Sequence, residues 1–340
     1  MSDAASVNDV ARAAGVSLGT VSNVLNRPER VAAPTRQRVL SAIHELGFVR
    51  NEAARQLRAG RSRTIGLLVL DVGNPFFTDL AGGVELAAAA AGLTVVLCNS
   101  SDDQQRESRY LGMLQEQRAY GVLITPVSEK NKKIGEMRRH GTNVVFVDRQ
   151  AGPRQCSVSV DDIVGGKLAV AHLIELGHRQ IAFVGGPMTT RQVADRLAGA
   201  RAALLEAGLD PTALTVVETT GLNVVEGKKA GERIAQLTGR FRPSAAMCAN
   251  DLLAFGVLQE MTRQRVAVPE ELAIVGYDDI DFAAVAAVPL TSVRQPRAQL
   301  GRAAAELLIE EVSQPETHKH RQVVFEPELV IRASSSSQQR

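Results

Sequence analysis

Carboxylates, amides and guanidinium groups recur at one kind of place in this 340-residue chain, just past short apolar runs. Asp71 follows the run 65–70, the pair Asp148-Arg149 follows 144–147, and Asn250-Asp251 follows 245–249. Asp278-Asp279 follows 274–277, and Gln295 follows 291–294. Planar groups with two hydrogen-bonding atoms match the paired hydroxyls of a sugar. An acidic residue after a strand can instead cap the next helix, a role that fits Asp251 and Asp279. It fits Asp148-Arg149 less well, because opposite charges sit together there. Enzymatic chemistry is not expected. Chain neighbours such as Asp278 and Asp279 rarely straddle one bond as a glycosidase pair must, and the sequence has no nucleophile elbow or phosphate-binding glycine loop. No cofactor is implied.

Such groups need strands whose carboxyl ends face a common space. The apolar runs 65–70, 94–98, 121–125, 143–147, 180–184, 215–217, 245–248 and 273–275 alternate with amphipathic stretches. These stretches include 77–91, 104–117, 165–176, 192–207 and 252–263. Alternation of this kind predicts an α/β body of parallel sheets flanked by helices. Residues 64–333 exceed one comfortable hydrophobic core, so two lobes are expected. Ligands in such folds bind beyond the carboxyl ends of the strands.

The N-terminal segment reads differently. Val7, Val10, Ala11 and Ala14 share one helical face, and Val21, Val24 and Leu25 share another. Gly15 lies between them, Ser6 and Asp9 are spaced as a capping box, and Ser17 is placed to cap the second helix. A third amphipathic helix is predicted over 34–46, ended by Gly47. A helix pair this small buries little, but it can present the start of its second helix to a DNA major groove. Residues 1–63 hold ten Arg against five acidic residues, so the formal net charge of +2 hides a basic head on an acidic body. The expected organisation is a helix-turn-helix head over 1–50, a hinge and linker over 51–63, a two-lobed body over 64–333 and a polar tail over 334–340.

Cys98, Cys156 and Cys248 are far apart in sequence, with no CxxC or Cys/His cluster, so reduced core thiols are expected and no metal site. No signal-type apolar segment and no apolar run of membrane-spanning length occurs, which predicts a cytoplasmic protein without membrane contact.

Residues 6–332 resemble the lactose-repressor family of transcriptional regulators. In the head the likeness rests on Asp9-Val10-Ala11, Ala14-Gly15-Val16-Ser17, Thr20-Val21-Ser22, Val24-Leu25-Asn26, Thr35-Arg36 and Asn51. In the body it rests on Asn74-Pro75-Phe76-Phe77, Asp148-Arg149, Leu176-Gly177-His178, Ala249-Asn250-Asp251, Gly276-Tyr277-Asp278-Asp279 and Gln295. The resemblance implies a homodimer that binds double-stranded operator DNA, with a periplasmic-binding-protein-like body that binds a small effector. It places Leu18, Gly19 and Asn23 at base edges and Ser17, Thr20, Ser22, Asn26, Thr35, Arg55 and Arg58 at the DNA backbone. It makes Leu57 a minor-groove wedge and Ala54 the packing surface of paired hinge helices. Asn23 stands where many members carry Arg or Lys, so adenine is favoured over guanine there. Ala32 stands where a capping Ser is usual. Arg50 stands where Pro is frequent.

The body also resembles ribose-binding periplasmic protein. That likeness implies an effector site of Asp71, Asn74, Phe76, Phe77, Asp148, Arg149, Arg196, Asn250, Asp278 and Gln295. The phenylalanines would pack on a sugar ring. A pentose such as ribose is the favoured effector, a purine is the alternative, and the expected sign is release of DNA on sugar binding. A sugar-binding protein without a regulatory role fits the body but leaves the head without a task. The end of the chain carries no leucine heptad, so no assembly beyond a dimer is expected.

Overall fold

The computed structural model describes residues 5–48, 62–128, 130–239 and 242–336. The chain divides into two compact units, Met1–Ser62 and Arg63–Arg340.

In the first unit α1 (Val7–Ala14), α2 (Leu18–Asn26) and α3 (Ala33–Glu45) enclose a core of Val10, Ala11, Ala14, Val21, Val24, Val39 and Ala42. Local chemistry sets their ends. Ser6 and Asp9 form the capping box, with Ser6 N donating to Asp9 Oδ2 at 3.0 Å. Gly15 ends α1 at φ +64°, a conformation that costs glycine nothing. Ser17 caps α2, its Oγ accepting from Thr20 N at 3.1 Å. The N-cap of α3 is Ala32, which makes no side-chain bond, and a proline in the first turn takes the place of one orphan donor.

The second unit holds two six-stranded sheets among the described residues. The first contains β1 (Thr64–Val69), β2 (Thr94–Asn99), β3 (Gly121–Ile124), β4 (Val144–Val147), β5 (Ser157–Val160) and β11 (Gln322–Phe325). They are parallel, in the order β11-β5-β4-β3-β1-β2. The second contains β6 (Ile181–Gly185), β7 (Leu214–Glu218), β8 (Ala245–Cys248), β9 (Ala273–Asp278), β10 (Thr291–Arg294) and β12 (Glu328–Val330). Its order is β12-β10-β9-β8-β6-β7, with β12 antiparallel at one edge. Nearly continuous burial of β1, β3, β4, β6, β8 and β9 is what a sheet covered on both faces demands.

The first lobe is covered by α4 (Pro75–Ala90), α5 (Gln104–Glu116), α6 (Lys132–Arg139) and α12 (Arg297–Ser313). The second carries α7 (Asp162–Glu175), α8 (Arg191–Glu206), α9 (Val224–Ala235) and α10 (Asp251–Gln264), with the short α11 (Asp281–Val285) after β9. The chain crosses between lobes after β5, after β10 and after β11. Helices α7 and α8 approach backbone to backbone. A Cβ on Gly166 would lie 2.0 Å from Arg196 O, and one on Gly199 would lie 2.0 Å from Ile163 O. That closeness brings Arg196 of α8 against Asp162 of α7.

Two sequence expectations change here. Ser334 and Ser335, assigned above to a polar tail, are buried in the second lobe. Ser334 Oγ accepts from Thr291 N at 2.8 Å and donates to Ile274 O at 2.6 Å. Ser335 Oγ lies 2.7 Å from Thr291 Oγ1 and 2.8 Å from His172 Nε2. Small hydroxyls can satisfy buried strand-end groups, so a serine run does not mark an exposed tail by composition alone. Second, the pairing of β11 beside β5 carries His318 and His320 to Cys156, so a Cys/His cluster absent from the sequence spacing forms in space.

Candidate functional sites

The cleft between the lobes encloses a cavity of about 370 Å³. Leu70, Asp71, Asn74, Phe76, Phe77 and Asp148 line it from the first lobe, and Thr190, Gln192, Arg196, Asn223, Asn250 and Asp278 from the second. Most of these positions lie at a strand or helix end, whereas Arg196 reaches in from the second turn of α8. Asn74 caps α4, with Oδ1 accepting from Phe76 N at 3.0 Å, while its Nδ2 donates to Asp278 Oδ2 at 3.2 Å. Asn250 caps α10 through Leu253 N at 2.9 Å and donates to Leu222 O at 3.0 Å. Phe76 and Phe77 are buried, their rings edge to face at 5.0 Å.

The lobes are bridged reciprocally. Asn74 of the first donates to Asp278 of the second, and Gln192 of the second donates to Asp148 of the first, at 2.9 Å to Oδ2 and 2.7 Å to its carbonyl. Both aspartates sit on strained backbone, with φ +55° at Asp148 and +101° at Asp278. Positive φ in a residue with a side chain costs on the order of 1–3 kcal/mol, and it concentrates at ligand sites.

Arg196 organises the charges. Its Nε donates to Asp162 Oδ1 at 2.7 Å and its Nη1 to Ala249 O at 2.6 Å. Asp278 Oδ1 lies 3.9 Å away, and the guanidinium stacks on the Tyr277 ring at 3.7 Å. One cation thus faces the carboxyls of Asp148, Asp162 and Asp278. Burial first, then the charge of Asp162, pushes Asp148 up to about 8 against the pull of Arg196. Asp278 and Asp162 are raised by burial as well, with Arg196 opposing. Burial works against the charged form of Arg196, but Asp162 foremost outweighs it and lifts its pKa above the usual range. A protonated Asp148 is a hydrogen-bond donor at neutral pH. Its Oδ1 and the Oε1 of Gln192 are buried without a hydrogen-bond partner among the described residues. Orphaned atoms of this kind cost about 1–3 kcal/mol each, which a polar ligand would recover.

Several predicted residues land elsewhere. Gln295 is buried but does not line the cavity; its Nε2 donates to Asp278 Oδ1 at 2.7 Å and holds that carboxyl in place. Arg149 lies outside that cavity, in a smaller adjacent pocket that Asp148, Asp161, Asp162 and Arg191 also line. Neither Asp251 nor Asp279 is a cap. Asp251 accepts from Ser292 Oγ at 2.6 Å and Ile280 N at 2.8 Å, and Asp279 is paired with Arg294 and Arg332 at 2.6 Å each. They brace the β9–α11 turn that presents Asp278. The reading from sequence missed Gln192, whose helical run hid that its α8 start points into the cleft.

In the head, α2 turns Val21 and Val24 inward and leaves Leu18, Gly19 and Asn23 exposed. Thr20, Ser22 and Thr35 are half-buried. Thr20 Oγ1 lies 3.0 Å from Ser17 Oγ, and Asn26 Nδ2 donates to Ser22 O at 2.8 Å. Ala54, Arg55, Leu57 and Arg58 lie outside the described residues.

Residues 6–51 match the family model described as bacterial regulatory proteins, lacI family, and residues 170–335 match a periplasmic binding protein-like domain. The HTH-type transcriptional repressor PurR of Aliivibrio fischeri is 33% identical over 338 residues, spanning 98% of this chain and 99% of that protein. The chain belongs to the lacI family. It is a DNA-binding transcriptional regulator with a helix-turn-helix head and a two-lobed, periplasmic-binding-protein-like body. Among solved structures, this lacI-family protein is similar to the lac repressor dimer bound to operator and the anti-inducer ONPF, with 26% identity, a TM-score of 0.85 and coverage of 97% and 99% of the two chains. A lacI-family regulator from Enterococcus faecium with bound ribose is 27% identical, with a TM-score of 0.74, over 80% of this chain and 98% of that one. No helix among the described residues is long and apolar enough to cross a membrane.

Proposed function

We propose that this protein is a homodimeric repressor whose operator affinity is set by a small polar effector in the inter-lobe cavity. The reciprocal bridges Asn74–Asp278 and Gln192–Asp148 carry the reading. A ligand engaging those four side chains acts on both lobes at once and thereby shifts how they close. Leu18, Gly19 and Asn23 meet base edges, with Asn23 favouring adenine. The remaining backbone contacts assigned to Ser17, Thr20, Ser22, Asn26, Thr35, Arg55 and Arg58, the Leu57 wedge and the Ala54 packing belong to the same proposal. Exposed apolar side chains supply a dimer surface. They are Val96 and Leu97 on the edge strand β2, Leu86 on α4, and Phe282 and Val285 on α11. Such a regulator works in the cytoplasm and needs no turnover.

Two effector classes have support. The full-length likeness to repressors named PurR favours a purine over the pentose expected from sequence. The cavity chemistry favours a hydroxyl-rich ligand, because Phe76 and Phe77 form the aromatic part of its lining and carboxyls and amides dominate the rest. A thermal-shift panel of D-ribose, other pentoses, hexoses and purine bases separates them. A shift with purines and none with sugars selects the purine, and the reverse selects the sugar. Anisotropy titration of a selected operator duplex then gives the sign. The sugar reading expects weaker DNA binding with ligand, and the purine reading expects tighter binding.

A further inference from the structure

Four side chains of metal-ligand type converge at the outer edge of the first sheet, on chain segments separate from the cleft lining. Cys156 precedes β5 and is fully buried. The chain between α12 and β11 supplies His318 and His320, and the last turns of α12 supply Glu311. Cys156 Sγ lies 3.1 Å from His318 Nε2 and 3.6 Å from His320 Nδ1, and His320 Nδ1 lies 3.9 Å from Glu311 Oε1. All four donor atoms fall within 4.8 Å of one another. A tetrahedral ion with metal–sulfur bonds of about 2.3 Å and metal–nitrogen or –oxygen bonds of about 2.0–2.1 Å needs ligand separations of roughly 3.3–3.6 Å. The observed spacings straddle that range, and His320, the exposed member, has room to adjust.

The orientation is as telling as the distances. His318 Nδ1 lies 3.1 Å from Glu310 Oε1, and Glu310 is held in turn by Arg321 Nη1 at 3.0 Å. A ring nitrogen donating to a carboxylate leaves the other nitrogen with its lone pair, here aimed at sulfur. Glu311 Oε2 is buried with no hydrogen-bond partner among the described residues. Packing alone explains a buried thiol beside one histidine; it does not explain two imidazoles and a carboxylate converging on it.

We propose that Cys156, Glu311, His318 and His320 bind a divalent transition metal of the zinc class. Thiolate and imidazole donors select such ions over magnesium or calcium. On binding, the thiol releases its proton to solvent and the sulfur lone pair forms the bond to the metal, with no change in oxidation state. Four protein ligands close the coordination shell, which makes the site structural. It ties the end of α12 and the lead-ins of β5 and β11 together at the sheet edge.

The test uses the full chain, stripped with chelator and titrated with Co²⁺ alone and then Zn²⁺. The expected result is one Co²⁺ per chain, the visible absorption of tetrahedral cobalt, and a thiolate-to-cobalt charge-transfer band in the near ultraviolet. Zn²⁺ should bleach both and raise Tm. C156S should lose the charge-transfer band. H320Q, at the exposed ligand where folding is least at risk, should weaken Co²⁺ binding by roughly tenfold or more. The absence of a cobalt spectrum in the wild-type chain, or an unchanged spectrum and affinity in H320Q, overturns the proposal.

Discussion

In the head, Leu18, Gly19 and Asn23 stand in solvent on a helix whose other face packs Val21 and Val24, whereas in the cleft Asp148, Asp278 and Arg196 are withdrawn from water. The difference follows from the ligands. A duplex brings its own charged surface to the protein, so the head needs only a rigid helix with polar and apolar groups facing out. A small molecule must be enclosed, so its partners are buried beforehand, oriented by one another, and coupled in their charges. Substitutions in the cleft should therefore disturb folding, while those on the head's outer face should change recognition alone.

Arg196→Met should break the comparison most visibly. Removing this guanidinium leaves the carboxyls of Asp162 and Asp278 buried without it, and breaking such a pair costs about 3–5 kcal/mol. Urea denaturation should show the loss, together with failure of effector binding. An unchanged urea midpoint would mean that Arg196 does not organise the cleft.

The pH dependence comes next. Asp148 has a folded pKa of about 8, against about 3.9 for an unperturbed aspartate. The folded chain therefore holds this proton at pH values where the unfolded chain has released it. Stability tied to the group is complete below about pH 4 and is lost progressively as pH rises to about 8. The urea midpoint of the unliganded protein should fall between roughly pH 4 and pH 8 and level off above that. Asp148→Asn, which mimics the protonated carboxyl, should flatten that component, and an identical slope in the variant would count against the assignment.

Smaller effects belong to the head. Asn23→Arg should move base preference at one operator position from adenine toward guanine by about 1–3 kcal/mol, with no change in the stability of the body. Selection from a random duplex pool reads this out. Ser17→Ala removes the α2 cap and should cost ~1 kcal/mol of head stability, seen as weaker operator binding that is uniform across sequences.

The two regions also differ in how far the sequence foretold them. The head was legible because its determinants are local: the Ser6–Asp9 box, Gly15 and the Ser17 cap act within a few residues. The strands and main helices of the body were legible from apolar runs, which put Asp71, Asp148, Asn250 and Asp278 at strand ends, whereas Asn74, Phe76, Phe77 and Arg196 were carried by the family resemblance; all eight line one cavity. What escaped depends on long-range pairing. Gln192 enters the cleft because α8 starts there, and Gln295 retreats behind Asp278. Arg149 lines the neighbouring pocket instead, and Cys156 meets His318 across 162 positions. No periodicity within a window encodes such meetings.

The central claim is that occupancy of the cleft governs operator binding by the head. Operator anisotropy with the full chain, measured with and without saturating D-ribose and then a purine base, tests it most directly. At least one of these should change the operator Kd by about 5- to 150-fold, and Asp278→Asn, which keeps the bulk of that buried side chain, should shrink the change while leaving ligand-free DNA binding in place. A compound that raises the Tm of the protein yet leaves operator affinity unaltered would contradict the account.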